Sequence, residues 1–217
     1  MKVFSVSGDL GDSYCTACKL YNIEEPVYLV HFTMHSWTDK IADIYSLLDN
    51  VSVVFVEQRD NYNKRIHSNF ETGCDEVRLQ WEVFPEWDLP EVKCALPENY
   101  TVINVRSGRD DQMHRVIPDD KIQELLDKHA NVVIIGTHDR EYPEGVINLT
   151  NKTTIKEAFS IIKGADNFHG YQGLMGFFAL SQKIPTTLYY ALEYEANAIQ
   201  IRMQKPWHEY CEGIIRV

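Results

Sequence analysis

The stretch over residues 165–190 limits the possible folds of this chain more than any other. Its sequence, ADNFHGYQGLMGFFALSQKIPTTLYY, predicts a strand over 166–169, a turn containing Gly170, Gly173 and Gly176, a helix within 174–181 and a strand over 184–190. Together these elements form a βαβ unit. Its turn offers backbone N–H groups at the amino end of a helix, which suits a phosphate or another anion.

Strands alternate with helices on both sides of a proline-rich break. Before it, the sequence predicts strands over 2–7, 26–32 and 51–56 and helices over 13–22 and 36–48. Residues 57–73 are polar and irregular, and 75–84 predict a further strand. After the break at 85–97, strands over 101–105, 131–136 and 145–149 alternate with helices over 119–129 and 153–163.

This alternation predicts an α/β protein of two small Rossmann-like domains, whose parallel sheets face each other across a cleft. We expect an N-terminal domain over 1–90 and a second domain over 98–190. A helix and tail over 191–217 could pack back on the N-terminal domain. Ligands of such sheets bind at the carboxyl ends of the strands.

The charge and composition of the chain restrict its partners. Its 217 residues carry a formal net charge of −11, which opposes a broad nucleic-acid surface because such surfaces need clustered Lys and Arg. No apolar run is long enough to span a membrane, and the first residues lack a signal-peptide core, so a cytoplasmic protein is expected. The five cysteines lack the spacing of a secreted disulfide framework, so reduced thiols are expected.

Three stretches are shared with one enzyme family. The first strand runs into Gly8-Asp9-Leu10-Gly11-Asp12, and Arg115-Val116-Ile117-Pro118 precedes a helix. The stretch 165–190 places Gly173 and Pro185 nearly as in a D-[ST]-G-x-x-H-x-A-A-x-x-x-x-P block. On these residues the chain resembles a compact member of the heptosyltransferase-like glycosyltransferases, which have the two-domain GT-B fold. The resemblance covers most of the chain.

The resemblance implies an enzyme that moves a sugar from a nucleoside-diphosphate sugar to an acceptor hydroxyl, with inversion and without a metal or other cofactor. Asp12 matches the family's general base, with Asp9 as the alternative if the turn aligns differently. Arg115 lies near the family's basic residue that stabilises the leaving diphosphate. A saccharide is the expected acceptor, ahead of a modified base in DNA.

The other candidate site residues fall into three groups. Contacts to the donor diphosphate are expected from Arg106, Arg109, Gly170, Gln172, Gly173 and Leu174, beside Arg115. Contacts to the donor or its sugar are expected from His138, His169 and Tyr171. The acceptor side is expected to include Gly11, Arg59, Lys64 and Arg65, the last three from the irregular segment of the first half.

The chain departs from the family block at three positions. The block has an acid where this chain has Tyr171, a small hydroxyl side chain where it has Gln172, and a histidine at or near Gly176. One extra residue precedes Pro185. These departures leave the donor open, whereas phosphate binding through backbone N–H groups depends only on glycine and helix geometry.

Other interpretations of the same residues stay open. Asp12, directly before a predicted helix, would also serve as its N-cap. Cys15 and Cys18 have thioredoxin-like spacing, but two buried small residues are favoured over redox chemistry. The altered block also fits a GT-B-like protein that holds a nucleotide or sugar phosphate without catalysis. An NAD-dependent oxidoreductase is disfavoured because the first turn lacks the third glycine of that fingerprint.

Overall fold

The computed structural model describes residues 2–33, 37–57, 84–106, 115–193 and 207–217. These residues divide into two compact units, Met1–Asp88 and Leu89–Val217. Each unit contains one sheet of parallel strands, connected through helices. The predicted α/β class with two parallel sheets is therefore confirmed.

The N-terminal unit is a βαβαβ arrangement. Its elements are β1 (Lys2–Ser7), α1 (Leu10–Leu20), β2 (Val27–Thr33), α2 (Thr38–Tyr45) and β3 (Val51–Glu57). The strands pair in the order β1-β2-β3, all parallel, and β2 places His31 between Val6 and Phe55. Both crossovers advance in the same direction, so right-handed connections place α1 and α2 on one face of the sheet.

The core of this unit lies between the two helices and the sheet. Its most deeply buried side chains include Tyr14, Leu20, Leu29, Ile41 and Ile44. The proline-rich segment contributes as well, because the indole N–H of buried Trp87 donates to the Tyr14 hydroxyl at 3.0 Å. Residues 84–97 form neither helix nor strand, as a linker would, but their first part packs into the N-terminal unit.

The C-terminal unit holds a sheet of six strands. Its elements are β4 (Thr101–Asn104), α3 (Asp119–Lys128), β5 (Val132–Ile135), β6 (Ile147–Asn148), α4 (Ile155–Lys163), β7 (Asn167–Tyr171), α5 (Leu174–Ser181), β8 (Thr186–Tyr190), a 3-10 turn (Trp207–Tyr210) and β9 (Cys211–Arg216). The strands are all parallel, in the order β6-β5-β4-β7-β8-β9. This is the doubly wound order, in which successive strands are added first on one side of β4 and then on the other.

Helices cover both faces of this sheet. On one face, Ile122 and Leu125 of α3 join a cluster with Ile103, Ile134 and Tyr189. On the other face α4 and α5 pack together, with the rings of Phe159 and Phe178 stacked at 3.9 Å. Because both faces are covered, β5 is an unbroken apolar run and all four of its residues are buried.

The structure differs from the sequence-based expectations in three places. Helix α1 begins at Leu10 rather than at 13, which makes Asp9 its N-cap. Strand β7 continues through Gly170 to Tyr171, because these residues pair with Leu188 and Tyr189 of β8. The expected tail ends in β9, whose Ile214 and Ile215 pair with the same strand.

Other expectations lie outside the described residues. The strand expected over 75–84 lies almost wholly there, as do the irregular segment after residue 57 and most of the helix expected at the start of 191–217.

Candidate functional site

The carboxyl edge of the C-terminal sheet carries a topological switch point. β5 and β6 lie on one side of β4, whereas β7, β8 and β9 lie on the other. The chain leaves β4 and β7 in opposite directions, and this opens a crevice between the ends of these two strands, the place where doubly wound sheets bind ligands. Asn104 ends β4, Tyr171 ends β7, and Gln172 and Gly173 follow directly after it.

Helix α5 starts at this switch point without a cap. Its N-cap residue is Gly173, which makes no side-chain cap hydrogen bond, and its first turn contains no acidic residue. Every other helix that the structure describes has an acid in its first turn. Apart from its chain neighbours, a methyl group added to Gly173 would meet no heavy atom of the described residues within 4 Å, so there is open space in front of the helix. Orphan N–H groups and the positive end of the helix dipole therefore face an open space.

Arg115 stands beside this turn. Its Nη1 donates to the Gln172 carbonyl at 3.5 Å, a long hydrogen bond that establishes proximity more than strength. Its neighbour Val116 forms an antiparallel bridge with Arg106, so the two arginines leave adjacent backbone segments just beyond β4. The structure thus brings together Arg115, Gln172, Gly173 and Leu174, residues predicted to contact a diphosphate. We call residues 172–175 the α5 turn.

A second polar group lies beyond the end of β5. His138 is 8% exposed, and its Nε2 lies 2.7 Å from the Tyr142 hydroxyl. Its Nδ1 is buried and has no hydrogen-bond partner within the described part of the chain. Burial, followed by the charges of Arg106 and Arg140, lowers the pKa of His138, so its ring is neutral near pH 7.

Next to His138, an open groove of about 590 Å³ follows the ends of β5 and β6. All seven residues that line it are polar or charged: Asp139, Arg140, Glu141, Asn148, Thr150, Asn151 and Lys152. Asn151 shapes the groove, since its backbone N–H donates to Gly136 O and its amide donates to the backbone oxygen of His138. Both carboxylates and amides line it, as expected for a surface that binds hydroxyl-bearing molecules.

The strand–turn–helix junction of the N-terminal unit is built differently. We call Gly8–Asp12 the α1 turn. Asp9 and Asp12 form a capping box on α1, in which the Asp9 N–H donates to the Asp12 carboxylate at 3.2 Å. Asp12 is therefore the third helical residue, and its expected N-cap role is wrong. Gly11, in the same first turn, is half-buried.

Gly8 makes room for the Asp12 side chain. It has φ +143, and a methyl group added there would collide with Cβ and the carboxylate of Asp12. Only glycine fits this conformation and this close approach without displacing the carboxylate.

A buried histidine supports the α1 turn from beneath. His31 is 1% exposed, with Nε2 3.1 Å from Gly8 O and Nδ1 3.0 Å from the Tyr45 hydroxyl. Burial lowers the pKa of His31. Because a carbonyl can only accept, Nε2 carries the proton and Nδ1 accepts from Tyr45. Sequence analysis missed this pair, although a histidine within an apolar strand signals a need for polar partners.

Three predicted donor contacts have unexpected surroundings. His169 was expected at a strand end but lies in the middle of β7, where its Nδ1 faces the Tyr189 hydroxyl at 3.2 Å. Burial and then the charge of His129 lower the pKa of His169 to about 4. Tyr171 is buried in the cluster on the α3 face. Gly170 lies in β7, where an added methyl would collide with the Phe168 ring.

The departure at Gly176 has a clear structural cause. A methyl group there would lie 2.9 Å from both the Tyr171 carbonyl oxygen and a Leu188 methyl. Helix α5 therefore approaches the sheet too closely for the family's histidine to fit at this position.

The remaining predictions concern cysteines, metals and residues that are not described. Cys15 and Cys18 are buried thiols that take part in no disulfide of the described chain, and burial raises the pKa of Cys18, which opposes redox reactivity. Across the described ranges, no three His, Cys, Asp or Glu side chains come together as a metal site requires, and no helix is both long and apolar enough to cross a membrane. Arg59, Lys64, Arg65 and Arg109 lie outside the described residues.

Comparison with known proteins identifies the fold. No protein-family model and no curated protein sequence match the chain. Among solved structures, the glycosyl transferase family 9 protein from Veillonella parvula DSM 2008 has a TM-score of 0.59 and 8% identity, over 99% of this chain and 85% of that one. The ADP-heptose LPS heptosyltransferase II of E. coli has a TM-score of 0.52 and 10% identity, over 100% of this chain and 90% of that one.

A third similar structure contains a bound nucleotide sugar. The dodecameric iron-containing heptosyltransferase TibC of enterotoxigenic E. coli H10407, in complex with ADP-D-beta-D-heptose, has a TM-score of 0.54 and 13% identity. The match covers 100% of this chain and 61% of TibC. These structures confirm the predicted heptosyltransferase-like GT-B fold, and at such identities the likeness concerns the fold alone.

Proposed function

We propose that this protein is a glycosyltransferase that moves a sugar from a nucleoside-diphosphate sugar to an acceptor hydroxyl, with inversion and without a metal or other cofactor. The observation that carries the proposal is the contact of Arg115 with the α5 turn, where an uncapped helix end faces open space at the switch point. The fold shared with known glycosyltransferases is consistent with it.

The α5 turn and Arg115 are suited to hold a diphosphate. The N–H groups that begin α5 can donate to phosphate oxygens, and a guanidinium can bind two oxygens at once. Negative charge grows on the diphosphate as its bond to the sugar breaks, so fixed donors at this place stabilise the transition state more than the ground state. The polar groove beyond β5 lies along the same edge of the sheet and can accept the nucleoside.

Asp12 is the proposed general base. The acceptor hydroxyl gives its proton to the Asp12 carboxylate while its oxygen bonds to the anomeric carbon. The bond from that carbon to the diphosphate breaks, and the diphosphate leaves with the electron pair. Gly8 leaves room for the carboxylate and the Asp9 N–H holds it, which limits the reorganisation that the step requires.

A saccharide is the proposed acceptor. A DNA base is disfavoured, since a net charge of −11 repels a phosphate backbone unless Lys and Arg are clustered against it. For this reason a modified base in DNA ranks second to a saccharide as the acceptor in our proposal.

The proposal is tested by calorimetry with ADP, UDP, GDP, CDP and TDP, followed by donor turnover with the matching nucleotide sugars. The wild type should bind one diphosphate, and Arg115→Gln should weaken that binding at least tenfold because it removes the cation beside the phosphates. Asp12→Asn should bind the same diphosphate as the wild type. When it is incubated with the nucleotide sugar and an acceptor, it should release no diphosphate.

Two outcomes separate the alternatives. Binding without turnover by the wild type, across a panel of saccharide acceptors, would support the interpretation of a nucleotide-holding protein without catalysis. Absence of binding to all five diphosphates would contradict both interpretations, since each depends on the α5 turn.

A further inference from the structure

We propose that the Asn104 amide and His138 Nδ1 form a small subsite that binds a ring hydroxyl of the ligand's sugar. This inference rests on the proposed function and adds a specificity determinant to it. The hydroxyl can come from the pentose of the nucleotide or from the transferred sugar, because both present the same chemistry.

The subsite is the space beside Gly136. A methyl group added to Gly136 would lie 3.5 Å from His138 Nδ1 and 3.6 Å from Asn104 Nδ2, with no nearer atom of another side chain. Two polar nitrogen atoms thus border a space that any larger residue would fill. Gly136 has φ +126, a conformation that L side chains rarely adopt. The backbone conformation therefore also disfavours a side chain that would fill this space.

His138 Nδ1 lacks a partner where one is expected. Nearly all buried polar atoms in folded proteins are hydrogen-bonded, and each exception lowers the stability of the folded state. Asn104 is half-buried at the end of β4, and none of the hydrogen bonds of the described chain involves its amide. A ligand that satisfies these two groups recovers a cost that the free protein carries.

A hydroxyl suits this pair better than an anion or a cation. The His138 Nε2 bond to Tyr142 can run in either direction, so Nδ1 is a donor in one tautomer and an acceptor in the other. A hydroxyl both donates and accepts, and so does the Asn104 amide. A phosphate cannot donate to an Nδ1 acceptor, and an ammonium cannot accept from an Nδ1 donor.

The test is calorimetry with ADP and with ADP-D-beta-D-heptose on the wild type, His138→Phe and Asn104→Ala. We expect at least tenfold weaker binding by His138→Phe and a smaller loss for Asn104→Ala. His138→Phe also removes the hydrogen bond between Nε2 and the Tyr142 hydroxyl, so the affinities and not the unfolding temperature decide the test.

The matched control is His129→Phe. The Nε2 of His129 is also buried without a partner in the described chain, but this histidine faces Thr101 at the opposite, amino end of β4. The His129→Phe variant should bind ADP and ADP-D-beta-D-heptose with the affinities of the wild type. Weakening of both probes by His138→Phe assigns the hydroxyl to the pentose, and weakening of the ADP-sugar alone assigns it to the transferred sugar.

The inference and the proposed function fail differently. If both probes bind the wild type and neither His138→Phe nor Asn104→Ala weakens binding relative to His129→Phe, the hydroxyl subsite is refuted and the function stands. If neither probe binds the wild type while another diphosphate does, the same comparison made with that diphosphate and its sugar decides the subsite. If no diphosphate binds the wild type, both fall.

Discussion

The two glycine-containing turns that precede helices α1 and α5 end in opposite ways. At the α1 turn, Asp9 and Asp12 place two carboxylates at the amino end of the helix. At the α5 turn, Gly173 offers no side chain, the first helical turn has no acid, and Arg115 approaches the backbone. One helix end is filled with negative charge by the chain itself, whereas the other is left for negative charge from a ligand.

This difference shows that glycine before a helix does not by itself make an anion site. Both turns follow a parallel strand, both contain glycine, and both expose N–H groups in the first helical turn. The side chains around them decide what each can bind. A carboxylate already in place repels a phosphate but can accept a proton, so the α1 turn suits a base and the α5 turn suits a leaving group.

The sharpest test of this comparison gives the α5 turn an acidic N-cap like that of the α1 turn. Gly173→Asp puts a carboxylate at the N-cap of α5, as Asp9 does for α1, and there it competes with a phosphate for the same N–H groups. We expect binding of the preferred nucleoside diphosphate to fall by at least about 100-fold, that is about 2.7 kcal/mol. Calorimetry measures the affinity.

Gly173→Ala is its control. Both variants add a Cβ at the same backbone conformation, and the surroundings of Gly173 leave space for it. Alanine should therefore weaken the affinity less than about tenfold, because it adds no charge. Equal losses for the two variants would show that space rather than charge governs the α5 turn, and the comparison with α1 would lose its basis.

Much of the fold follows from the sequence. Helix α5 has the bounds expected, because an apolar segment between glycines and a proline can only be a short buried element. The proximity of Arg115 to the α5 turn could also be expected, although 57 residues separate Arg115 from Gln172. Parallel strands bring their following loops to one edge of the sheet, so βαβ topology alone places them there.

The particular side chains of the site were harder to predict. Strand β7 is covered on both faces, so its sequence shows no alternation from which to place His169. Asn104 and Gly136 were missed, since one polar residue at a strand end and one glycine after a strand are common in loops of no special function. Their significance arises only when the register of β4, β5 and β7 places them together.

A buried histidine lies close to each turn, and the stability of the protein at acidic pH depends on such buried histidines. His169, in the strand that leads to the α5 turn, has a pKa of about 4, against 6.5 for an exposed histidine. Between these values the unfolded chain binds a proton that the native protein does not, so stability falls as pH decreases from 6.5 to 4. His169 accounts for about 3 kcal/mol of this loss.

His169→Gln should make the pH dependence shallower, because glutamine can still bond to Tyr189 but does not titrate. Urea denaturation at pH 7, 6, 5 and 4 measures the free energy of unfolding. Some slope should remain, since burial also lowers the pKa of His31, His129 and His138. His208→Gln, at an exposed position, should match the wild type. A variant slope as steep as that of the wild type would contradict the assignment to His169.

The smallest expected effect concerns how the α1 turn holds its carboxylate. Gly8→Ala adds a methyl that collides with Asp12 at φ +143, whereas Gly145→Ala adds one at φ +94 that, chain neighbours aside, meets no atom of the described chain within 4 Å. Both variants strain the backbone by about 1 kcal/mol, but only Gly8→Ala must also displace Asp12. Urea denaturation should therefore show Gly8→Ala less stable than Gly145→Ala by about 2 kcal/mol. Equal losses would mean that Asp12 moves freely and that its position in the α1 turn is not fixed by Gly8.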